Sequence, residues 1–337
     1  MDYLGLLEGK QWLEISEDFD YIRATQDFVG LRLFPMVRTE NMKLAVAQLV
    51  EGSDVPVMAF VHALDTEAQI GDRPDFQEID YTLMLVKKKL NEGEALRKKL
   101  KDLGMSNTQR TIVEAVYNDA ANLIASVITR FEVMADEALC SGKLTINENN
   151  VNLEVDYHLP EDHRLVVSGW STASHDILGD LVKIKKNSKN KIVRALTSDT
   201  VMGYIVNNTK LQDIATKQGT YVTEDWARNY ISNLLRIEFI VVDGTYKDKY
   251  QGGTERNFFA QDVISFVTTT GELGKTYMTS TPSEDCDLAT NVTRSGFVSV
   301  RQYLAQDDPL TVYTIAEGLG LPVFRDIKQL YVCKVNA

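Results

Sequence analysis

Residues 107–141 read NTQRTIVEAVYNDAANLIASVITRFEVMADEALCS. Ser106-Asn107-Thr108-Gln109 has the form of a capping box, a hydroxyl followed three residues later by Gln. Apolar side chains then recur at Val113, Val116, Ala120, Leu123, Ile124, Val127, Phe131, Met134 and Ala138, which is the spacing of one face of an α-helix. No Gly or Pro interrupts the run before Gly142, a natural stop. A helix over 107–141 is about 52 Å long at ~1.5 Å per residue. A compact chain of 337 residues has a radius of gyration of only ~20 Å. The helix therefore crosses the molecule as a strut, and the fold must be built around it.

Upstream, 42–50 and 55–64 are rich in Val, Leu, Ala and Met and predict strands, and 78–86 alternates apolar and polar residues. Between them lies a turn-rich stretch ending in Gly71-Asp72-Arg73-Pro74. This predicts a long two-stranded loop, which cannot bury its own face and needs a partner surface. Residues 87–103 are strongly basic and look helical at their far end. Residues 1–28 are acidic and predict an extended arm with one short helix. Leu6, Leu7, Trp12, Leu13 and Ile15 give the arm more apolar surface than a free tail carries, so it is expected to dock.

Downstream, Leu144–Asn147 and Val151–Val155 form a strand pair turning through Glu148-Asn149-Asn150. Helices are expected at 176–186, 199–207 and 224–235, and strands at 191–196, 236–242, 261–268 and 297–300. The final stretch, 311–337, reads as strands. There is no internal repeat. The class is α+β with segregated elements, without the regular alternation of a nucleotide-binding sheet.

Composition narrows the chemistry. With 44% hydrophobic and 25% charged residues the chain can bury a core. A net charge of -12 makes it a poor ligand for a phosphate backbone, whose affinity comes from clustered Lys and Arg. Cys140, Cys286 and Cys333 are an odd and dispersed set, which argues for a reducing compartment and against a disulfide framework. The start MDYLGLLEGK has no signal-peptide pattern, and no apolar run of about 18 residues occurs, so an intracellular protein without a membrane span is expected.

Gly271-Glu272-Leu273-Gly274-Lys275-Thr276 resembles the end of a phosphate-binding loop. Thr269 stands where the first Gly is needed, and β-like residues and Pro282 follow where a helix is needed, so a turn between strands is expected. His158, Glu161, Asp162, His163 and His175 lie close in sequence but match no metal-binding spacing. Lys183, Lys185, Lys186, Lys189 and Lys191 read as a solvated helix end. No nucleophile, base and orienting group come together, so no catalytic residue, cofactor site or metal site is assigned.

Charge is unevenly placed. Residues 51–80 hold eight acids and one base, while 87–101 hold seven bases and two acids. An acidic projecting loop and a basic base suit a head-to-tail contact that closes a ring of copies. The candidate contact residues are Gly71, Asp72, Arg73 and Pro74 at the loop tip, with Arg97, Lys98, Lys99 and Lys101 in the basic patch.

The sequence resembles the lambda-type major capsid proteins of tailed bacteriophages, the capsid protein E family with the HK-ninety-seven-like fold. Gly30-Leu31-Arg32-Leu33-Phe34-Pro35 is similar to that family's Phe-Pro segment. Arg130-Phe131-Glu132-Val133-Met134, Glu137-Ala138-Leu139 and Gly142-Lys143 are similar to its most recognisable stretch. Asp156-Tyr157, Trp170-Ser171, Asp176, Asp180-Leu181 and Leu321-Pro322-Val323 continue the match in order, while nothing between about 185 and 305 can be matched.

The resemblance implies an arm and first strand over 1–48, an extended β-loop over 49–90, and a peripheral domain over 91–164 that carries the spine helix 107–141. It further implies an axial domain over 165–308 and return strands of the peripheral domain over 309–337. It implies hexamers and pentamers that form an icosahedral shell around double-stranded DNA, first as a procapsid. The implied partners are a scaffolding protein, a portal protein and, as in some relatives, a decoration protein, with assembly in the bacterial host cytoplasm. An encapsulin-like nanocompartment shell is the alternative on the same fold. A soluble cytoplasmic enzyme is the alternative from another class.

Overall fold

The structure is a computed structural model that describes residues 28–49, 76–92, 108–148, 151–247, 253–286, 292–305 and 311–336. The chain enters through a short helix α1 (Val29–Leu33) and strand β1 (Met36–Arg38). Strands β2 (Lys43–Leu49) and β3 (Phe76–Thr82) pair antiparallel, Lys43 opposite Thr82 and Leu49 opposite Phe76. They are the described stem of the expected β-loop. The expected strand 55–64 and the loop tip lie outside the described residues.

Strand β4 (Met84–Glu92) follows after a break at Leu83. Lys87, Lys88 and Lys89 are thus strand, and the expected helical far end of that segment lies outside the described residues. The long helix α2 runs over Thr108–Ser141. Its inward stripe Ala120, Leu123, Ile124, Val127, Phe131, Met134 and Ala138 is almost wholly shielded from solvent. Gly142 ends it with φ +68, a conformation that only glycine adopts without strain, and its N–H closes the last turn on Ala138 O at 2.8 Å. The hairpin β5 (Lys143–Glu148) and β6 (Val151–Asp156) follows at the expected place.

Next come β7 (Arg164–Val166), α3 (Ile177–Asn187), β8 (Arg194–Thr197), α4 (Asp199–Val206), α5 (Thr209–Lys217), α6 (Glu224–Leu235) and β9 (Glu238–Val241). Three helices start on side-chain caps, as expected for such residues: Asp176 accepts from Gly179 N, Ser198 from Val201 N and Thr223 from Trp226 N. The remaining strands are β10 (Thr245–Lys247), β11 (Glu255–Asn257), β12 (Val263–Val267), β13 (Gly274–Thr279), β14 (Val292–Ser295), β15 (Val298–Ala305), β16 (Thr311–Phe324) and β17 (Leu330–Lys334).

Two sheets organise the chain. The first has six strands in the order β1-β13-β16-β15-β14, with β4 also paired to β16. The second has five, in the order β7-β17-β12-β8-β9. The long β16 is the axis of the first sheet, taking β15 and β4 along one half and β13 along the other. Helix α2 lies across it, and Gly318 marks the point of closest approach. A Cβ there would sit 2.9 Å from Val127 Cγ1 and 3.0 Å from Phe131 Cε2.

The apolar core divides in the same way. One cluster joins α1, α2 and the six-stranded sheet, and another joins α3, α4, α5 and α6 to the five-stranded sheet. Strands β13, β14 and β15 belong to the sheet under the long helix, because β16 pairs with β13 and β15, and β15 with β14.

Candidate functional site

The eight expected contact residues, Gly71, Asp72, Arg73, Pro74, Arg97, Lys98, Lys99 and Lys101, all lie outside the described residues. Their surroundings are informative. Of the bases in 87–101, the first three sit on β4 and have partners in their own chain. Lys87 Nζ lies 3.5 Å from the buried carboxylate of Glu317. Lys88 Nζ donates to Ser126 Oγ on α2 at 3.0 Å, and burial pulls its pKa below the ordinary lysine value. Lys89 Nζ stands 4.2 Å from the Tyr313 ring centre, a cation–π distance. These three lysines fasten β4 to the long helix and to β16.

The family-like segments meet in space. Glu132 on α2 is buried at 1% exposure. Its Oε1 accepts from Gly30 N at 2.8 Å and its Oε2 from Leu31 N at 2.7 Å. One side chain on the long helix thus satisfies the first free N–H groups of α1, 101 and 102 residues away in sequence. Asp136, one turn on and fully buried, stands beside it. Burial, first, and the neighbouring Glu132 carboxylate push the Asp136 carboxyl well above its usual range, and the two backbone donors favour the charged form of Glu132. The Glu132 carboxyl is itself raised by burial, against the pull of the two backbone donors.

A second tie joins the hairpin exit to the C-terminal strand. Tyr157 is fully buried and its hydroxyl donates to Pro322 O at 2.6 Å. Burial pushes that phenol well above its ordinary pKa. Its ring packs edge-on against Phe324 at 5.1 Å, and Phe324 meets Phe34 at 4.9 Å, so two of the matched segments and the residue that follows a third share one aromatic cluster. A third tie lies in the other lobe, where Asp180 Oδ2 accepts from Trp170 Nε1 at 3.4 Å and pairs with His175 Nε2 at 2.6 Å. Sequence reading quoted Gly30, Leu31, Glu132, Tyr157, Trp170, Asp180 and Pro322 as family marks without assigning them a role, and did not single out Asp136. For Glu132 and Asp136 the signal was two acids one helical turn apart at the flank of an otherwise apolar stripe.

The other candidates are dispersed. His163 stacks on Tyr331 at 3.7 Å and bonds Leu330 O at 2.8 Å through Nδ1, while His175 turns to Asp180 and His158 is exposed. Gly274 opens β13, and Lys275 continues that strand rather than a helix. Burial raises the thiols of Cys140 and Cys333, the latter to about 12, so both are unreactive at neutral pH. No described helix is long and apolar enough to cross a membrane.

A long helix laid over a six-stranded sheet, with a β-ribbon leaving its base and a five-stranded α/β lobe beyond, defines the HK-ninety-seven-like capsid fold. The chain is similar in structure to a protein described as a prophage capsid protein of E. coli CFT073, with a TM-score of 0.58, 15% identity and 99% of each chain covered. It is also similar to a phage-related protein of Bordetella bronchiseptica RB50, with a TM-score of 0.51, 10% identity, and 95% of this chain and 94% of that chain covered. A search of curated protein sequences gives no match. The chain belongs to the phage major capsid protein E family, whose sequence pattern matches residues 15–335. It is a phage major capsid protein, a shell-building subunit.

Proposed function

We propose that this subunit assembles into hexamers and pentamers that close an icosahedral shell around double-stranded DNA, without itself catalysing a reaction. The observation that carries the reading is the family match over residues 15–335. In this reading the six-stranded sheet and α2 form the peripheral domain, and α3, α4, α5 and α6 with the five-stranded sheet form the axial domain, clustered around the symmetry axes. Assembly takes place in the host cytoplasm around a scaffolding protein, with a portal protein at one vertex and, where the shell needs reinforcement, a decoration protein outside. The extended loop, up to its return into β4 at Met84, lies over the neighbouring subunit. Its tip, Gly71–Pro74, meets Arg97, Lys98, Lys99 and Lys101 of that neighbour, head to tail around the ring. The engagement of Lys87, Lys88 and Lys89 within their own chain supports placing the contact on the later bases.

Electron microscopy of the purified chain, with sedimentation beside it, tests the assembly. Closed shells, tubes or isolated hexamers and pentamers are expected, and DNA-sized heads rather than small cargo-filled shells separate a phage capsid from a nanocompartment. A uniform small oligomer that stays unchanged when a scaffolding protein is co-expressed would overturn it. The charge contact has its own test, since Lys98→Glu with Lys99→Glu should block ring closure. Unchanged assembly of that double variant would remove the contact while leaving the capsid reading in place.

A further inference from the structure

The five-stranded sheet begins at β7 and ends at β9, and each of these strands has a neighbour on one side only among the described residues. In a parallel pair, alternate residues turn both N–H and C=O toward the neighbouring strand, and the residues between them turn both away. Val167 N donates to Lys334 O, so Leu165 and Val167 face β17 while Arg164 and Val166 face outward. Glu238 N donates to Val193 O and Val242 N to Thr197 O, so Phe239 and Val241 are the outward residues of β9. The backbone N–H and C=O groups of Val166, Phe239 and Val241 have no partner among the described residues. Val166 is also 65% exposed, on a strand whose other residues are half-buried. An open edge of this kind is a template for another strand.

The two edges run in the same direction. Strand β7 is parallel to β17, β17 and β8 are each antiparallel to β12, and β9 is parallel to β8. Rotation about an axis along the strands preserves their direction, so β9 of one copy meets β7 of the next as a parallel pair. Because the two edges are different surfaces, the contact is head to tail, the kind that closes a ring.

Pairing and charge together fix the register. An outward residue of β7 must stand opposite an inward residue of β9, which leaves slides of two residues. Val166 opposite Ile240 sets Arg164 opposite Glu238, an ion pair on one face of the sheet. A slide one way sets Arg164 against Arg236, and a slide the other way sets it against Ile240. The chosen register also keeps the apolar faces continuous, since Leu165, Val167, Phe239 and Val241 all pack with the helices α3 to α6. Within its own chain Arg164 reaches only Glu161 at 3.8 Å and Leu159 O at 3.4 Å, and the Glu238 side chain, 3.4 Å from Arg194, is 63% exposed. Exposed pairs at these distances are weak, and Glu238 has room for a second guanidinium.

We propose that β9 of one copy pairs in parallel with β7 of the next, Val166 opposite Ile240, joining the five-stranded sheets of neighbouring copies into a ring. Phe239 N–H then donates to Arg164 O, Val166 N–H to Phe239 O, and Val241 N–H to Val166 O. Val166 covers Ile240, and Arg164 faces Glu238. This contact deepens the hexamer and pentamer reading and rests on it.

The test uses assembled particles of the full chain with Cys286→Ser, the remaining cysteines being buried. Val166→Cys combined with Ile240→Cys is treated with a bifunctional thiol reagent spanning about 5 Å, the spacing of neighbouring strands. A ladder of crosslinked chains ending at five or six is expected in a denaturing gel. Particles that form without such crosslinks, or with Val166→Cys joined to a different protein, would overturn the contact and leave the shell reading standing. A chain that forms no particles even beside a scaffolding protein loses the shell reading, and the contact with it.

A second measurement needs no crosslink. Val166→Pro removes an N–H that no described group of its own chain uses, a replacement that sheet edges tolerate. The subunit should keep its circular dichroism while association into rings weakens about tenfold for the lost hydrogen bond. Val166→Thr keeps the N–H and should assemble as the unaltered chain does. Equal assembly of the two folded variants would place the contact elsewhere.

Discussion

Glu132 and Asp136 make unequal demands on the same buried space, and substitution should expose the difference. Each Glu132 oxygen serves its own donor, Oε1 taking Gly30 N at 2.8 Å and Oε2 taking Leu31 N at 2.7 Å. Hydrogen bonds to a charged group contribute about 1.5–3 kcal/mol each. Glu132→Gln keeps one acceptor and turns an NH2 against the other backbone N–H. The expected loss is about 2–4 kcal/mol, one charged bond plus a donor left unpaired. With the raised Asp136 carboxyl taking the pair's proton, Asp136→Asn should change less than ~1 kcal/mol, since neither Asp136 oxygen has a hydrogen-bond partner among the described residues to lose. Urea unfolding of the isolated subunit measures both, the midpoint moving with an unchanged slope. If Asp136→Asn proved as damaging as Glu132→Gln, the assignment of charge to Glu132 and proton to Asp136 would be wrong.

The pH dependence gives the same assignment an independent check. Asp136 has a folded-state pKa well above 3.8, its ordinary value. As pH rises above ~3.8 the unfolded chain releases this proton while the folded chain retains it, so the group's contribution to stability falls until the folded pKa is passed. Asp136→Asn has no proton to lose. Its stability relative to the unaltered chain should therefore climb with pH through that window, and a flat difference would refute the reasoning.

Tyr157→Phe removes the bond to Pro322 O and should lower stability by about 1–2 kcal/mol, read as a shift in the urea midpoint with no change in far-ultraviolet dichroism. Gly142→Ala places a methyl 2.7 Å from Leu159 Cβ at a residue with φ +68. A loss of about 2 kcal/mol is expected, with Gly142→Asn milder because Asn tolerates the left-handed region. Lys87→Met strands the Glu317 carboxylate, which is 1% exposed and has no hydrogen bond among the described residues. Partial exposure of the lysine limits the expected loss to about 1–3 kcal/mol. Adding Glu317→Gln should recover most of it, and a double variant no better than the single one would count against the pairing.

Sequence periodicity located the long helix because its stripe is continuous and its stop is a glycine. The helices at 177–187, 199–206 and 224–235 were legible for a similar reason: Asp176, Ser198 and Thr223 mark their starts. Helix Thr209–Lys217 escaped notice because only Leu211 and Ala215 are buried in its nine residues, too few for a visible period. Strand β4 was hidden for a different reason. Lys87-Lys88-Lys89 has low strand propensity, and its conformation is imposed by nine paired positions along β16 and by the partners each lysine finds there. No local signal announces a partner more than two hundred residues away.

The candidate site divides along the same line. The segments by which the family is recognisable, Gly30-Leu31, Glu132, Tyr157, Trp170, Asp180 and Pro322, are joined to one another within the subunit. They fix where the chain enters, how the long helix seats on its sheet, and where the last strands return. A buried carboxylate serving two backbone N–H groups tolerates almost no replacement, because each lost acceptor leaves a donor without water. Contacts between copies face the opposite constraint. A shell is held by many repeated surfaces, so each can be modest and can change with its mate. Residue patterns that persist in a sequence therefore report the subunit's internal ties, and the contact surfaces must be sought in charge balance and exposed apolar area. The acids of 51–80 and the bases of 97–101 stand out by charge balance and by no motif.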